Sequence, residues 1–205
     1  SSIVTCRQCG LSYINPRVSS EYMEYTLQQW AREDVLDDER LRIAFEPATV
    51  DYFRRFLIVL DRLHNSAAEK TLLDVGCSTG TLLTLARDNG WQTSGLELGA
   101  ASSAYAREEL GLEVTRGTLY DAEFAVGSFD AISFVEVIEH LEYPRSALEL
   151  FHKWLKPGGL LLVTTPNYNS LYRRLFGNRW WVINCEDEHI VLFTLETLTA
   201  MLDEC

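Results

Sequence analysis

The run Lys70-Thr-Leu-Leu-Asp-Val-Gly-Cys-Ser-Thr-Gly80 constrains this chain more than any other stretch. Leu72, Leu73 and Val75 form a short apolar strand signal, broken by one acid, Asp74, and stopped by Gly76. Residues 81–89 then place apolar side chains at helical spacing and stop at Gly90, a residue suited to the position just past a helix. Strand, tight turn and helix in that order predict the opening of a nucleotide-binding α/β unit. Gly76 and Gly80 are expected to let the backbone come close to a ligand, since a side chain would fill the ligand's volume.

The kind of nucleotide follows from what the turn lacks. A dinucleotide fingerprint counted from Gly76 wants glycines at 78 and 81, where this chain has Ser78 and Thr81. No Gly-Lys-Ser/Thr is present to cradle a triphosphate.

The periodicity downstream continues the alternation. Helix signals cover 47–64, 100–110 and 145–155, and strand signals cover 93–97, 112–116, 128–135 and 160–164, with Lys156-Pro-Gly-Gly159 as the turn before the last. A final helix is predicted after Thr194, with Leu195, Leu198, Met201 and Leu202 facing inward. Glu97 ends the second strand, 21 residues past Gly76, where an acid meets a ribose. Its carboxylate accepts from both sugar hydroxyls and repels a 2′-phosphate.

Composition narrows the partners. A formal charge of −12 argues against a nucleic acid gripped through its phosphates, with Arg173, Arg174 and Arg179 the nearest thing to a basic patch. No apolar run approaches a membrane span and no signal peptide is visible, so a cytoplasmic protein with no membrane partner is expected. Cysteines at 6, 9, 77, 185 and 205 are an odd, scattered set that does not suggest a disulfide framework. Cys6-Arg-Gln-Cys9-Gly10 is half of a zinc ribbon; a structural site needs four ligands, so zinc at Cys6/Cys9 is not expected in this chain.

Asp74 with Gly76-x-x-x-Gly80, Glu97, Phe129-Asp130 before an apolar run, Glu136-Val-Ile-Glu139-His140-Leu141, and Lys156-Pro-Gly-Gly159 before the fifth strand together resemble the motif series of class I S-adenosylmethionine (SAM)-dependent methyltransferases. The ubiquinone-pathway O-methyltransferase type is the nearest resemblance, over residues 70–167. Cys6-x-x-Cys9-Gly10 with Asn15-Pro16-Arg17 resembles the end of a zinc ribbon preceding some bacterial methyltransferases. The resemblance implies a Rossmann-like doubly wound α/β sheet with parallel strands in order 3-2-1-4-5. Two further C-terminal strands of the family sheet, 6 and 7, are expected to be missing from this chain. Residues 1–46 are expected to hold the CxxCG segment and lid helices, whose Tyr22 and Tyr25 sit among acids, and 47–205 the SAM-binding domain.

SAM is the implied cofactor, with Asp74, Gly76, Cys77, Ser78, Gly80, Glu97, Leu98, Thr118, Leu119 and Val135 as its implied contacts. Ser78 stands where the family usually has a third glycine, and Thr118 where it often has an acid for the adenine amino group. His140, with Glu139, is expected to remove the acceptor's proton, because an imidazole titrates near neutrality. If residues 136–140 turn helically, Glu136, Glu139 and His140 share a face. With the later His189 they resemble the metal site of small-RNA 2′-O-methyltransferases and ubiquinone-pathway enzymes, so a divalent metal, Mg or Zn, is a further expectation. The expected activity is O-methylation of a small hydroxylated acceptor such as a phenol, sugar or natural product. The alternatives are a non-catalytic SAM-binding module and a metal-assisted RNA 2′-O-methyltransferase. The fifth strand is expected to be an apolar sheet edge through which the chain forms an oligomer.

Overall fold

The structure is a computed structural model that describes residues 2–17, 19–33, 35–64, 69–180, 182 and 189–205. Along the chain run β1 (Ser2–Thr5), β2 (Ser12–Asn15), α1 (Ser20–Glu33), α2 (Asp38–Ala44), α3 (Pro47–Leu63), β3 (Lys70–Val75), α4 (Thr81–Asp88), β4 (Trp91–Glu97) and α5 (Ala100–Glu108). They are followed by β5 (Val114–Arg116), β6 (Phe129–Val135), α6 (Pro144–Trp154), β7 (Leu155–Thr164), α7 (Leu171–Phe176), β8 (Val191–Leu192) and α8 (Leu195–Asp203). The chain forms two compact units, each gathered from separate segments. One takes Glu21–Phe134 and Lys153–Leu162; the other takes Ser1–Ser20, Val135–His152 and Val163–Cys205.

The first of these units is built on β3. Its last four residues are buried, including Asp74, which is why it reads as an apolar run rather than an alternating one. β4 lies parallel to it with Lys70 opposite Trp91 and Val75 opposite Leu96, and β6 lies parallel on the other side with Leu72 opposite Ala131. Leu57 and Leu60 of α3 and Leu82 and Ala86 of α4 pack with Leu72, Trp91 and Ala131, and Phe53, Leu85, Leu160 and Leu162 close around them. Each fully buried leucine contributes roughly 1.5–3 kcal/mol. A second cluster joins Cys77, Leu83, Ala106, Leu112 and Val114.

The Rossmann-like α/β fold with a five-stranded parallel sheet is present. Its order is β5-β4-β3-β6-β7, which is 3-2-1-4-5 when only the strands of this sheet are counted, since β1 and β2 precede it and belong to a different, three-stranded sheet, β1-β2-β8. β6 and β7 are thus the fourth and fifth strands of the large sheet, and the expectation that two further family strands are missing is not borne out. One detail departs from expectation: β7 begins at Leu155 instead of 160, so Lys156-Pro-Gly-Gly159 is part of the strand. Gly158 absorbs the local bend at φ +78°, and Lys156 Nζ is tied to Asp130 Oδ2 at 2.7 Å.

In the other unit β1 and β2 form an antiparallel hairpin whose turn carries Cys6 and Cys9. Cys6 N donates to Leu11 O, Gly10 N donates to Cys6 O, and Gly10 makes the turn at φ +76°. β2 pairs antiparallel with β8, Ser12 opposite Leu192. Trp180, Val182 and Leu192 pack with Ile3 and Tyr168. Thr194 caps α8 in a reciprocal box with Thr197. Of the inward apolar face expected of α8, Leu198 and Met201 are half-buried, whereas Leu195 and Leu202 are exposed.

Candidate functional site

The turn after β3 is shaped by three residues with positive φ: Gly76 at +78°, Ser78 at +49° and Gly80 at +84°. Ser78 thus adopts a left-handed conformation that glycine takes without strain, at a cost of roughly 1–2 kcal/mol for a side-chain-bearing residue. Gly80 is needed for a reason other than the one expected. A Cβ there would sit 2.4 Å from Leu112 Cδ1, so the missing side chain makes room for the core rather than for a ligand.

The turn spends its own donors. Gly76 N and Cys77 N both donate to Leu96 O, Ser78 N donates to Glu97 Oε2 at 2.8 Å, and Gly80 N donates to Cys77 O. A phosphate cradle needs such N–H groups aimed outward. Here they bind the turn to the end of β4, which accounts for a nucleotide site without a phosphate grip.

Glu97 is held from both sides, since its Oε1 also accepts from Gly99 N at 2.6 Å. A carboxylate has about four acceptor positions, so these two bonds fix its orientation and leave capacity for ribose hydroxyls. Asp74 lies beneath the turn, buried, and accepts from Ser133 Oγ at 2.7 Å. Burial pushes its pKa up to about 7, against the opposing Ser133 hydrogen bond and with help from the Glu97 charge. Cys77 is buried in the core and its thiol is pushed well up by burial, so its side chain is inert packing. Leu98 is half-buried, Leu119 is buried, and Val135, at the end of β6, is half-buried.

Thr118 does not stand alone. Its hydroxyl donates to Asp121 Oδ2 at 2.5 Å, and Asp121 N closes the turn on Thr118 O. An acid, absent from position 118, thus stands three residues later beside the same hydroxyl. Counting three residues ahead in Gly117-Thr-Leu-Tyr-Asp121 would have found it. Thr81 is a second residue that the sequence reading missed. Its hydroxyl donates to Ala44 O at 2.9 Å and fastens the end of α2 to the start of α4, while Phe45 and Tyr105 rings lie 6.3 Å apart. The segment expected to be a lid is thus anchored at the nucleotide turn, with Tyr22 and Tyr25 exposed.

A second group of chemistry-bearing residues follows β6 in the chain. Glu139, His140 and His189 each offer a ligand atom, and these lie within 4.8 Å of one another. The two imidazole rings are 4.8 Å apart between centroids. His189 is buried with Nδ1 3.1 Å from Val182 O, the arrangement that keeps a proton on Nδ1 and the lone pair on Nε2. Glu139 is buried, and among the described residues neither of its carboxylate oxygens meets a hydrogen-bond donor in good geometry. Burial raises its pKa, as it does for Glu136.

Glu136 is not in that group. The chain does not turn helically from 136: Glu136 takes φ +55°, and only Ile138–His140 form a single 3-10 turn, so the shared face expected of 136, 139 and 140 does not form. The Glu136 carboxylate accepts from Thr164 Oγ1 at 2.9 Å instead. The acidic run Glu186-Asp187-Glu188 before His189 and Cys185 lie outside the described residues. In the β1–β2 turn, the thiol of Cys6 is pulled below its ordinary pKa by the backbone N–H groups of Cys9 and Gln8. That turn supplies two of the four ligands a closed zinc site uses.

A parallel α/β sheet, a phosphate-free nucleotide turn and an acid at the end of the second sheet strand define a class I SAM-binding fold. Residues 48–205 match the family model described as a methyltransferase domain, and the chain belongs to that family, whose cofactor is SAM. Over 112 residues the chain is 38% identical to the ubiquinone biosynthesis O-methyltransferase of Nitrosococcus oceani, covering 52% of this chain and 48% of that one. It spans about half the length of the curated relatives it matches. A SAM-dependent methyltransferase from Archaeoglobus fulgidus superposes with a TM-score of 0.62 at 20% identity, covering 77% of this chain and 66% of that one. A phosphoethanolamine N-methyltransferase from Haemonchus contortus superposes with a TM-score of 0.68 at 19% identity, covering 92% and 45%.

Proposed function

We propose that this chain transfers a methyl group from SAM to the hydroxyl of a small acceptor such as a phenol or sugar. The observation that carries this reading is the meeting of Glu139 and His140 with His189, 49 residues later in the chain. The names of the curated relatives, O-methyltransferases, support oxygen as the atom methylated.

In this reading Glu97 accepts from the ribose hydroxyls and the turn at 76–80 holds the cofactor against β3. Thr118 and Asp121 receive the adenine amino group, and Leu98 and Leu119 pack on the ring. Near His140 the acceptor O–H gives its proton to the imidazole as the oxygen attacks. The new O–CH3 bond forms as the S–CH3 bond breaks, and S-adenosylhomocysteine leaves as a neutral thioether. Glu139 stabilises the imidazolium that results.

Glu139, His140 and His189 also suit a divalent cation, since a buried carboxylate that meets no donor in good geometry among the described residues and an imidazole oriented by a carbonyl are what such an ion uses. Bound there, Mg or Zn would lower the pKa of the acceptor hydroxyl. The test is methyl transfer with SAM and a panel of phenols, sugars and a short RNA, with and without chelator. Phenol or sugar product supports the reading, and RNA as the sole acceptor replaces it. SAM binding without product from any acceptor makes the chain a non-catalytic SAM-binding module. Melting temperature with added metal, in wild type and His189→Ala, reports on the ion independently of activity.

A further inference from the structure

α7 is inverted relative to an ordinary surface helix. Its apolar side chains, Leu171, Tyr172, Leu175 and Phe176, are exposed, while Arg173 among them is half-buried. An amphipathic helix turns its charges to water and its leucines to the core. Arg173 is also held by its backbone: its N–H donates to Ser170 Oγ at 3.2 Å, and its carbonyl accepts from Gly177 N.

The Arg173 guanidinium lies 3.7 Å over the Tyr168 ring, and its Nε is buried with no hydrogen-bond partner among the described residues. Other arginines of this acidic chain meet a carboxylate, as Arg42, Arg54, Arg87 and Arg145 do. No ion pair among the described residues includes Arg173. Stacking occupies the face of a guanidinium and leaves its N–H donors at the edge, in one plane. That planar fork matches a carboxylate or a phosphate through two parallel hydrogen bonds. A cation that has lost part of its water without gaining an anion is destabilising, and a bound anion relieves it.

Short links join this arginine to the histidine cluster. Tyr168 packs with Trp180 and Val182, and the Val182 carbonyl is the one that orients His189. Tyr168 N donates to Phe193 O at 2.7 Å, four residues past His189. The Thr165 side chain lies close enough to Glu139 to oppose the rise of its pKa. From Thr165 to Tyr168 is three residues, a span of at most about 11 Å. All of these residues belong to one compact unit.

We propose that Arg173 binds an anionic group, carboxylate or phosphate, on the acceptor whose hydroxyl reacts at His140. The acceptor is then a phenol or sugar that carries an acid, rather than a neutral one. Arg173 determines specificity by holding the far end of the molecule while the histidine cluster holds the reacting end. A chain of charge −12 repels anions at long range, so an anionic acceptor needs a dedicated cation. The proposal rests on the methyl-transfer reading and narrows it.

The test uses two matched pairs, gallate with pyrogallol and glucose 6-phosphate with glucose. Calorimetry measures their binding to the protein loaded with S-adenosylhomocysteine, which needs no turnover, and kcat and KM are measured with SAM. Wild type should prefer the anionic member of one pair by about tenfold or more, in affinity and KM rather than in kcat. The pair that responds tells carboxylate from phosphate. Arg173→Gln should reduce the preference by roughly 10- to 100-fold, the scale of hydrogen bonds to a charged group. Arg173→Lys should keep part of it, since it keeps the charge and loses the planar fork. Titration with SAM confirms that each variant retains a folded cofactor site. Equal affinity for both members of both pairs in wild type overturns the inference, as does an undiminished preference in folded Arg173→Gln. Anion binding that depends on Arg173, without methylated product, supports the inference and fails the methyl-transfer reading. Methylation of the neutral acceptors with no preference for the anions does the reverse.

Discussion

The nucleotide turn and the histidine cluster solve the same problem, holding charged groups still, by opposite means. At the turn, Glu97 accepts from the backbone N–H groups of Ser78 and Gly99, and Asp74 accepts from the Ser133 hydroxyl of the neighbouring strand. In the cluster, His140 and His189 come from distant parts of the chain, and the buried Glu139 carboxylate meets no donor in good geometry among the described residues. A satisfied site is rigid before its ligand arrives. An under-satisfied one stores desolvation cost that a ligand or ion can relieve. The difference predicts that substitutions at the turn lower affinity, whereas substitutions in the cluster lower turnover.

The largest effect is expected at His140. His140→Ala should reduce kcat by about 10²–10⁴-fold with SAM affinity unchanged, the range for losing a general base. A loss of SAM affinity of equal size would break the contrast between the two sites.

Asp74→Asn should act on stability. With a folded pKa of about 7 against an ordinary 3.8, the folded chain keeps a proton that the unfolded chain releases. Stability should therefore fall as pH rises from about 4 to 7 and level off above. The asparagine variant should lack that slope and be more stable at pH 8, by up to roughly 4 kcal/mol. Denaturant unfolding at pH 5 and pH 8 measures it, and parallel curves for the two proteins would remove Asp74 as the cause.

Glu97→Ala should weaken SAM binding by roughly 1.5–3 kcal/mol, the scale of hydrogen bonds to a charged group. Calorimetric titration reads it directly; wild-type affinity in the folded variant would take Glu97 out of the site. The smallest change is Ser78→Gly, which relieves the left-handed strain at φ +49°. A gain of about 1 kcal/mol in stability is expected, a little less after the extra chain entropy of glycine.

The same contrast explains what the sequence made legible. Lys70 to Val75 and the helix at 81–88 were readable because strand period, glycine stop and helix period are local signals. Glu97 was readable because a short, regular connection brings β4 beside β3. Glu136 was misread for want of one backbone angle, since its positive φ breaks the turn that would align it with Glu139. Gly80 was assigned to the ligand because nothing in the sequence shows Leu112 folding back against it. Asp121 and the Thr81 bond to Ala44 depend on loop paths that carry no periodicity. The outward face of α7 could not be read at all, because periodicity gives the width of an apolar stripe and not the direction it faces.

The pairing of β2 with β8 has a consequence for how the protein is made. Tyr13 finds its partner Val191 only after all the residues between them have been synthesised. At about 5–20 residues per second that wait is on the order of ten seconds or more. The parallel sheet begins to assemble much sooner, since β3, β4 and β5 are all synthesised by residue 116. The β1–β2 hairpin is therefore made before the parallel sheet and completed after it, and slowed or stalled translation near residue 190 should leave its β2 edge open to other chains.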